Sequence, residues 1–269
     1  MPNKTILKWA GSKVRIMEQL RPHLPKAKRL VEPFAGSCAV MMNTDYERYL
    51  IADVNADLIN FYHCVLDPIE GIFESLAFCW ERFNDRETYY AIRERFNNKT
   101  AYCKYNQAAD FLILNRHGYN GLCRYNQSGG FNVPFGRYKK VYFPKNEIAE
   151  FSHKADCTEL LHLEWQDTLS LVDFDDGVYC DPPYLGDSFT QYHTAGFTES
   201  DHEELALALK NINVVQGNPI TVSNSLEAKA LYADLGFTIH EIEAPRTISA
   251  KGDRKPAIEI IAVLNGGAQ

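Results

Sequence analysis

The sequence lacks the signatures of several common protein classes. It has no complete Gly-x-Gly-x-x-Gly fingerprint, which disfavours a nicotinamide cofactor, and no Gly-x-x-x-x-Gly-Lys-Ser/Thr loop, which disfavours a P-loop protein. No apolar run is long enough to cross a bilayer, and no long apolar segment near the start predicts a secretory signal. With an apolar fraction of 45% and a charged fraction of 23%, the composition predicts a soluble globular protein.

The cysteines lack the spacing of a metal site. The chain has seven of them, an odd number, and no two stand at a distance typical of metal ligands. We therefore expect free thiols, no bound metal and a location in the reducing cytoplasm. The cysteines are Cys38, Cys64, Cys79, Cys103, Cys123, Cys157 and Cys180.

Positive charge is scarce except in one segment. The net charge of −7 argues at first against a nucleic-acid partner. Residues 86–140, however, hold 10 Lys and Arg against 3 Asp and Glu, a local net charge of +7. A compact basic segment in an otherwise acidic chain indicates an electrostatic footprint for phosphates.

Alternating strand and helix patterns occupy both ends of the chain. Strands are predicted at residues 29–34, 49–54, 160–165, 177–180, 219–222, 237–242 and 258–264. Helices are predicted at residues 37–45, from a capping-box-like start at Thr198 to about Ile212, and at 226–235, where Gly236 ends the last one. The pattern predicts an open, mostly parallel α/β sheet with helices on both faces and an antiparallel pair of strands at one edge.

Residues 56–140 interrupt this alternation. They are helical in pattern up to Asn115, and residues 118–138 are rich in glycine, asparagine and aromatics, which favours a hairpin that approaches a ligand closely. We therefore predict that residues 1–55 and 141–269 form one domain and that residues 56–140 are an insert, a helical bundle followed by the hairpin.

The run Asp181-Pro182-Pro183-Tyr184 follows the fourth predicted strand and suits methylation of an exocyclic amino nitrogen. Such a nitrogen is a poor nucleophile because its lone pair is delocalised into the ring. The Asp181 carboxylate and the Pro182 carbonyl can accept its two N–H protons, while the two prolines make the turn rigid. Tyr184 offers a flat face to a base that has left the stack.

A second group of residues is typical of a nucleoside pocket. Ligands of doubly wound sheets lie beyond the carboxyl ends of the strands. There Asp53 can bind ribose hydroxyls, and Gly36, next to Phe34, lets the backbone approach a ligand. Trp9 can pack on a ligand face, and Lys13 can reach a carboxylate.

Taken together, these residues resemble the DNA adenine methyltransferases of the Dam family, over nearly the whole chain. The resemblance lies in ordered blocks at residues 7–13, 31–36, 52–55, 114–126, 131–138 and 179–184. It implies a Rossmann-like catalytic domain at residues 1–55 and 141–269 and an inserted target-recognition domain at residues 56–140. It also implies S-adenosylmethionine as methyl donor and adenine N6 in duplex GATC as acceptor. One position departs from the family pattern, because Cys38 stands where the second glycine of Phe-x-Gly-x-Gly is usual.

The resemblance also implies roles for single residues. Asp181, Pro182, Pro183 and Tyr184 would hold the flipped adenine. Trp9, Lys13, Phe34, Gly36, Asp53 and Asp181 would bind the cofactor. Lys8, Tyr119, Asn120, Leu122, Arg124, Pro134 and Tyr138 would face DNA.

Elementary chemistry agrees with several of these roles. The donor fork of Arg124 matches guanine O6 and N7, and Tyr119 can wedge into the stack that a base has left. Arg116, Arg137, Lys139 and Lys140 are predicted to contact phosphates, which position the duplex without specifying its sequence. A second phosphate clamp is predicted from a basic group near the C-terminus. Its members are Arg246, Lys251, Arg254 and Lys255.

Two other functions stay open at this point. Cytosine-N4 methylation uses a similar motif on a similar amino group, and only the hairpin resemblance favours adenine. A non-catalytic DNA-binding protein on the same scaffold is disfavoured by the intact Asp181-Pro182-Pro183-Tyr184 run. We expect double-stranded DNA as the partner, and no obligate protein partner is evident.

Overall fold

A seven-stranded mixed sheet forms the centre of the protein in a computed structural model that describes residues 2–69, 71–99, 103–186, 197–245 and 257–267. The strand order is β3-β2-β1-β4-β5-β7-β6. The strands are β1 (Arg29–Glu32), β2 (Arg48–Asp53), β3 (Thr158–His162), β4 (Asp176–Cys180), β5 (Ile220–Ser225), β6 (Thr238–Ala244) and β7 (Ala257–Leu264). The first five are parallel, and β7 pairs antiparallel with both β5 and β6. The predicted antiparallel pair at one edge is therefore confirmed.

Helices cover both faces of this sheet. They are α1 (Met17–Leu20), α2 (Ala56–Leu66), α3 (Ile72–Cys79), α4 (Arg86–Asn97), α5 (Lys104–His117), α6 (Lys145–Ser152), α7 (Trp165–Leu169), α8 (Glu199–Gln216) and α9 (Lys229–Asp234). Leu30 belongs to an apolar cluster with Phe61 of α2 and Phe111 of α5. Its neighbour Val31 belongs to a second cluster with Leu205 of α8. Because successive strand residues point to opposite faces, the two clusters lie on opposite sides of the sheet.

Two of the predicted elements are wrong in detail. No α-helix forms at residues 37–45, where only a 3₁₀ turn at Met41–Asn43 is found. Cys38 has φ 54°, in the left-handed region, which stops a helix from continuing. The third strand lies at Thr158–His162, and Trp165 begins α7 instead of ending that strand. Burial of Trp165 against the second cluster outweighs its preference for a strand.

The helix starts and stops were predicted well where side chains act locally. The Thr198 hydroxyl accepts from the Asp201 amide, and the Asp201 carboxylate accepts from the Thr198 amide, a complete capping box at the start of α8. Gly236 has φ 86° and follows α9. Both signals involve residues within a few positions of each other, so the sequence displays them directly.

Residues 56–117 are largely helical, as predicted, and form α2 to α5. Their apolar side chains join the cluster of the sheet itself, since Ile92 and Phe111 share it with Leu30 and Ile51. The described helices of the insert therefore pack as an extension of one core. The exact domain boundaries stay a prediction.

Residues 118–136 form two paired arms. Isolated antiparallel bridges join Gly118 to Phe135 and Tyr125 to Phe131. Between them, the amide of Tyr119 donates to the carbonyl of Pro134 at 2.8 Å. Gly118 and Gly136 pack without Cβ atoms, because a Cβ at Gly136 would fall 2.8 Å from the His117 carbonyl oxygen. The predicted hairpin is thus present as a set of bridges rather than as two long strands.

A buried carboxyl ends the first strand. Glu32 is 2% exposed, and its Oε1 has no hydrogen-bond partner within the described residues. Burial, together with the nearby negative charge of Asp181, raises the pKa of Glu32 to about 8, although a hydrogen bond from the Met41 backbone opposes the shift. The folded protein therefore holds a proton here at neutral pH that the unfolded chain releases.

Glu32→Gln is expected to gain stability relative to the wild type as the pH rises. Between the ordinary pKa of 4.5 and the folded value of about 8, the folded state binds the extra proton, so the wild type loses stability with increasing pH. Each unit of pKa difference corresponds to about 1.4 kcal/mol. Thermal unfolding at about pH 5 and about pH 8 measures the gain. Glu159→Gln, at an exposed strand position, is the control and should change little. An equal effect of Glu32→Gln at both pH values would contradict the assignment.

Candidate active site and nucleic-acid interface

The predicted catalytic and cofactor residues meet at the carboxyl edge of the sheet. Asp181 follows β4, Gly36 follows β1, and Asp53 ends β2. The strands β1 and β4 are adjacent and parallel, and the chain order reverses between them. Doubly wound sheets bind ligands at this kind of topological switch point.

Asp181 is held from two sides. Its Oδ2 lies 2.7 Å from the ammonium of Lys13, whose side chain is only 5% exposed. Its Oδ1 accepts a hydrogen bond from the Ser223 hydroxyl at 2.9 Å, and Ser223 in turn lies 2.8 Å from the hydroxyl of Tyr179. The carboxylate is therefore fixed in direction before any ligand arrives.

The rest of the Asp-Pro-Pro-Tyr turn is equally well anchored. The Tyr184 hydroxyl donates to Glu259 Oε2 at 2.8 Å, and burial raises the pKa of Tyr184 well above its usual range, so the hydroxyl stays protonated. The amide of Leu185 donates to Asn224 Oδ1 at 3.1 Å. Pro182 is buried and Pro183 half-buried, and neither has an amide to leave unpaired.

Lys13 and Tyr184 are also close to each other. The Lys13 ammonium lies 4.9 Å from the centroid of the Tyr184 ring and donates to the Gly11 carbonyl at 2.6 Å. The ammonium is thus surrounded by a carboxylate, a carbonyl and an aromatic face. These three groups compensate for its removal from water.

The cofactor residues predicted from the first two strands lie together. Asp53 Oδ2 accepts from the Gly36 amide at 3.0 Å. Gly36 has φ 47°, and a Cβ there would lie 2.9 Å from Trp9 Nε1. Both the backbone conformation and the lack of space therefore require glycine at this position. Phe34 is half-buried and meets Phe197 edge-on, with ring centroids 5.8 Å apart.

The backbone at Cys38 adopts a conformation that favours glycine. Its φ of 54° is unfavourable for any residue with a side chain. The side chain is 0% exposed and belongs to the apolar cluster of the first face. The side chain of Cys38 therefore points into the core.

The hairpin presents most of the predicted DNA-facing side chains to solvent. Tyr119, Asn120, Arg124 and Pro134 are exposed, while Leu122 and Tyr138 are half-buried. Arg137, Lys139 and Lys140 are exposed beside them. The Arg124 Nε donates to Asn132 Oδ1 at 2.7 Å, which fixes the plane of the guanidinium.

Lys8 lies beneath the hairpin. Its ammonium donates to the Arg116 carbonyl at 3.0 Å and lies 4.0 Å from the centroid of the Tyr138 ring. Burial, followed by the charge of Arg116, lowers the pKa of Lys8 to about 8. Gly121, with φ 64°, approaches so closely that a Cβ there would lie 2.1 Å from Lys8 Cβ.

The prediction that Arg116 contacts phosphate does not fit its position. Arg116 is 7% exposed, and its guanidinium donates to the backbone carbonyls of Thr5 and Ile6. Burial lowers its pKa to about 10. Arg116 thus ties the N-terminal segment to the end of α5, and the sequence did not indicate this because the two partners are more than a hundred positions apart.

Other basic residues of the segment at 86–140 are also used internally. Arg95 pairs with the buried carboxylate of Asp110 at 2.5 Å, and Lys99 pairs with Asp57 at 3.1 Å. Arg93 donates to the Val133 carbonyl at 3.1 Å. The net charge of the segment therefore overstates the charge available to a duplex.

Four residues of the site were not predicted from the sequence. Ser223 and Asn224 lie at the carboxyl end of β5, where polar residues directly after an apolar run were an available signal. Glu259 reaches Tyr184 from β7, and Glu32 ends β1. Neither carboxylate had a signal in the sequence, because Glu259 meets Tyr184 from a distant part of the chain and the burial of Glu32 depends on the packing of the sheet.

The second clamp of Arg246, Lys251, Arg254 and Lys255 lies outside the described residues. Within the described part of the chain, no group of three or more His, Cys, Asp or Glu side chains is arranged to hold a metal ion. Over the same residues, no helix has the length and apolar character needed to span a membrane.

Sequence comparison gives consistent matches over nearly the full length. The chain is 49% identical over 262 residues to the retron Ec67 DNA adenine methylase of Escherichia coli, covering 96% of this chain and 90% of that protein. It is 40% identical over 271 residues to the DNA adenine methylase of Salmonella typhi, covering 98% and 96%.

Among solved structures, a precorrin-6y C5,15-methyltransferase from Geobacter metallireducens GS-15 aligns over 94% of this chain and 88% of that chain. The TM-score is 0.41 and the identity 11%, so this likeness is too weak to support a conclusion about fold or function. Residues 9–248 match the family described as D12 class N6 adenine-specific DNA methyltransferase. With that match and relatives at 40–49% identity, the chain belongs to the D12 class of N6 adenine-specific DNA methyltransferases.

Proposed function

We propose that the protein transfers a methyl group from S-adenosylmethionine to N6 of adenine in duplex GATC, after the adenine has rotated out of the stack. The Asp181 carboxylate lies at the topological switch point beside Lys13, Tyr184 and the strand ends that carry Gly36 and Asp53. This juxtaposition of an amino-group acceptor with a nucleoside pocket supports the activity most directly. Residues 56–140 would serve as the target-recognition unit.

The residues at the strand ends fit S-adenosylmethionine. Asp53 accepts the backbone amides of Gly36 and Asn55 at the end of β2, and its carboxylate would bind the ribose hydroxyls there. The buried Glu32 carboxyl holds a proton at neutral pH, and its Oε1 lacks a partner in the described part of the chain, so a neighbouring cation would favour its ionised form. Trp9, Lys13, Phe34, Gly36, Asp53 and Asp181 would hold the cofactor.

The cofactor supplies a methyl group on a sulfonium, an already activated electrophile, and no metal is required. Asp181 prepares the acceptor. Lys13 and Ser223 each occupy one position on its two oxygens, and the remaining lone pairs can accept an amino proton. The Pro182 carbonyl would accept the second proton.

Charge develops on the amino nitrogen as it forms the new bond. A fixed carboxylate beside that nitrogen stabilises the positive charge without reorganising at the moment of reaction. The proton that the nitrogen must then release is already hydrogen-bonded to an acceptor. Tyr184, whose hydroxyl is tied to Glu259, would provide the face on which the flipped adenine stacks.

Recognition of the duplex is assigned to the hairpin. The exposed Arg124 would read a guanine through its Nη atoms, because Asn132 already occupies its Nε. Leu122 and Pro134 would contact a thymine methyl or a base edge, and Tyr119 would fill the gap left by the flipped base. Arg137, Lys139 and Lys140 would contact phosphates, and Lys8 and Tyr138 would support the hairpin from the side of the active site.

One experiment tests this function directly. The protein is incubated with labelled S-adenosylmethionine and with duplexes that contain or lack GATC, and the DNA is digested to nucleosides. Label in N6-methyladenine from the GATC duplex alone is expected. Label in N4-methylcytosine would support the alternative acceptor, and binding without any label would support a non-catalytic role.

Asp181→Asn is expected to lower turnover on the order of a hundredfold or more, because it removes the charge that stabilises the reacting nitrogen. Single-turnover methylation of the GATC duplex measures the effect, and thermal unfolding shows whether the fold persists. Asp45→Asn changes a carboxylate that is 100% exposed and should keep normal turnover. A folded Asp181→Asn protein with near wild-type turnover would falsify the proposed mechanism.

Arg124→Ala is expected to lose about 1–3 kcal/mol of discrimination at a guanine-containing pair, the worth of a bidentate base contact. Lys139→Ala, at an exposed neighbouring position, should weaken binding to all duplexes alike and lower its salt dependence. Turnover on GATC and on singly substituted sites compares the two variants. Equal losses on every duplex for Arg124→Ala would remove it from the set of base readers.

A further inference from the structure

The arm of the hairpin that carries Arg124 is anchored on both sides of that residue. The hydroxyl of Tyr125 donates to Asp57 Oδ2 at 2.9 Å and lies 3.5 Å from Asn55 Oδ1. On the other side, Cys123 Sγ accepts from Asn55 Nδ2 at 3.6 Å. Both chain neighbours of the exposed Arg124 therefore contact the first turn of α2.

The same turn is bonded to the predicted ribose carboxylate. The Asn55 amide donates to Asp53 Oδ1 at 2.9 Å, while Asp53 Oδ2 accepts from Gly36 at 3.0 Å. Asn55 is thus bonded through its side chain to the reading arm and through its backbone to the cofactor side. Asn55 therefore connects the two sites that the proposed function uses together.

This connection is stiff. Asn55 is the N-cap of α2, and its Oδ1 accepts from the amides of Asp57 and Leu58 at 3.1 Å each. Asp57 is 5% exposed, and its Oδ1 accepts from Lys99 at 3.1 Å and from Gln107 at 2.8 Å. A buried carboxylate at a helix N-terminus holds its donors strongly, since both its charge and the helix dipole favour the arrangement.

The Tyr125 hydroxyl can be separated from the packing of its ring. The ring lies edge-on to Phe131, with centroids 5.7 Å apart, and the two residues form a bridge between the arms. Loss of the hydroxyl would leave this contact in place. It would remove the bonds of the arm to Asp57 and to Asn55 Oδ1 and leave the weaker contact of Cys123 Sγ with Asn55 Nδ2.

We propose that Tyr125 is a positioning residue that couples reading of the duplex by Arg124 to cofactor binding at Asp53. The inference rests on the proposed function, which assigns both of those roles. A coupling of this kind is reciprocal, because a bound duplex must strengthen cofactor binding by the same factor as the cofactor strengthens duplex binding. The proposed function assigns Tyr125 no ligand, and the residue acts through its bond to Asp57.

Tyr125→Phe tests the coupling. Calorimetry measures the affinity for S-adenosylhomocysteine with and without a saturating GATC duplex. In the wild type, the duplex is expected to strengthen binding by at least about fivefold, and in the variant this factor should fall towards one. Affinity without DNA should stay unchanged, because the contacts of Asp53 to Gly36 and Asn55 remain.

Tyr46→Phe is the matched control. Its hydroxyl donates to the Pro25 carbonyl at 2.6 Å. Tyr46 lies just before the amino end of β2 and outside the hairpin. The variant loses one hydroxyl of a half-buried tyrosine, as Tyr125→Phe does, and should keep the wild-type coupling factor. A reduced factor in both variants would indicate general loosening and overturn the specific role of Tyr125.

A second comparison shows whether Tyr125 acts through Arg124. In a protein that keeps Arg124, Tyr125→Phe should reduce discrimination between GATC and a duplex substituted at the guanine read by Arg124. In an Arg124→Ala background it should cost no further discrimination, because neighbouring residues that act together are not additive. Additive losses in the double variant would overturn the proposal.

The outcomes also separate this inference from the proposed function. A wild type that methylates GATC but has no coupling factor, or the same factor in Tyr125→Phe, refutes the tether and leaves the function standing. A wild type that forms no N6-methyladenine in GATC refutes the function, and the coupling with it.

Discussion

The ion pair between Lys13 and Asp181 is the contact on which the arrangement of the site depends. It is 2.7 Å long, and the Lys13 side chain is 5% exposed. A buried ammonium without a partner costs several kcal/mol, roughly 3–5 when one member of a buried pair is removed. The segment before the first strand is therefore held to the Asp-Pro-Pro-Tyr turn, and the position of Asp181 sets the position of that segment.

The consequences extend along residues 8–13. At one end Lys13 contacts Asp181 and Tyr184. Near the other end Trp9 packs on Gly36. At the other end the backbone of Lys8 exchanges hydrogen bonds with the Asn115 side chain at 2.9 Å and 2.8 Å. One short loop thus spans the predicted methyl-transfer turn, the cofactor glycine and the base of the hairpin. A displacement of any one of these three would therefore shift the other two.

The sequence predicted those features whose cause is local or whose residues form a motif. The capping box at Thr198, the glycine after α9 and the placement of Asp53 and Asp181 at strand ends all follow from residues close in the chain. The failures arise where the backbone conformation or the partners of a residue are set by the rest of the fold. The helix expected at 37–45 is stopped by the left-handed backbone of Cys38, although its sequence is apolar enough for a helix.

Charge gives the clearest example of this limit. A count along the chain treats every arginine and lysine of residues 86–140 as equivalent, but the fold divides them. Arg95, Lys99 and Arg116 hold carboxylates or carbonyls of the protein itself, and Arg124, Arg137, Lys139 and Lys140 stay exposed on or beside the hairpin. Only cations that can reach a phosphate release counterions from a duplex. We therefore expect the exposed cations on or beside the hairpin to meet a duplex, while the buried Arg116 holds the N-terminal segment against the end of α5.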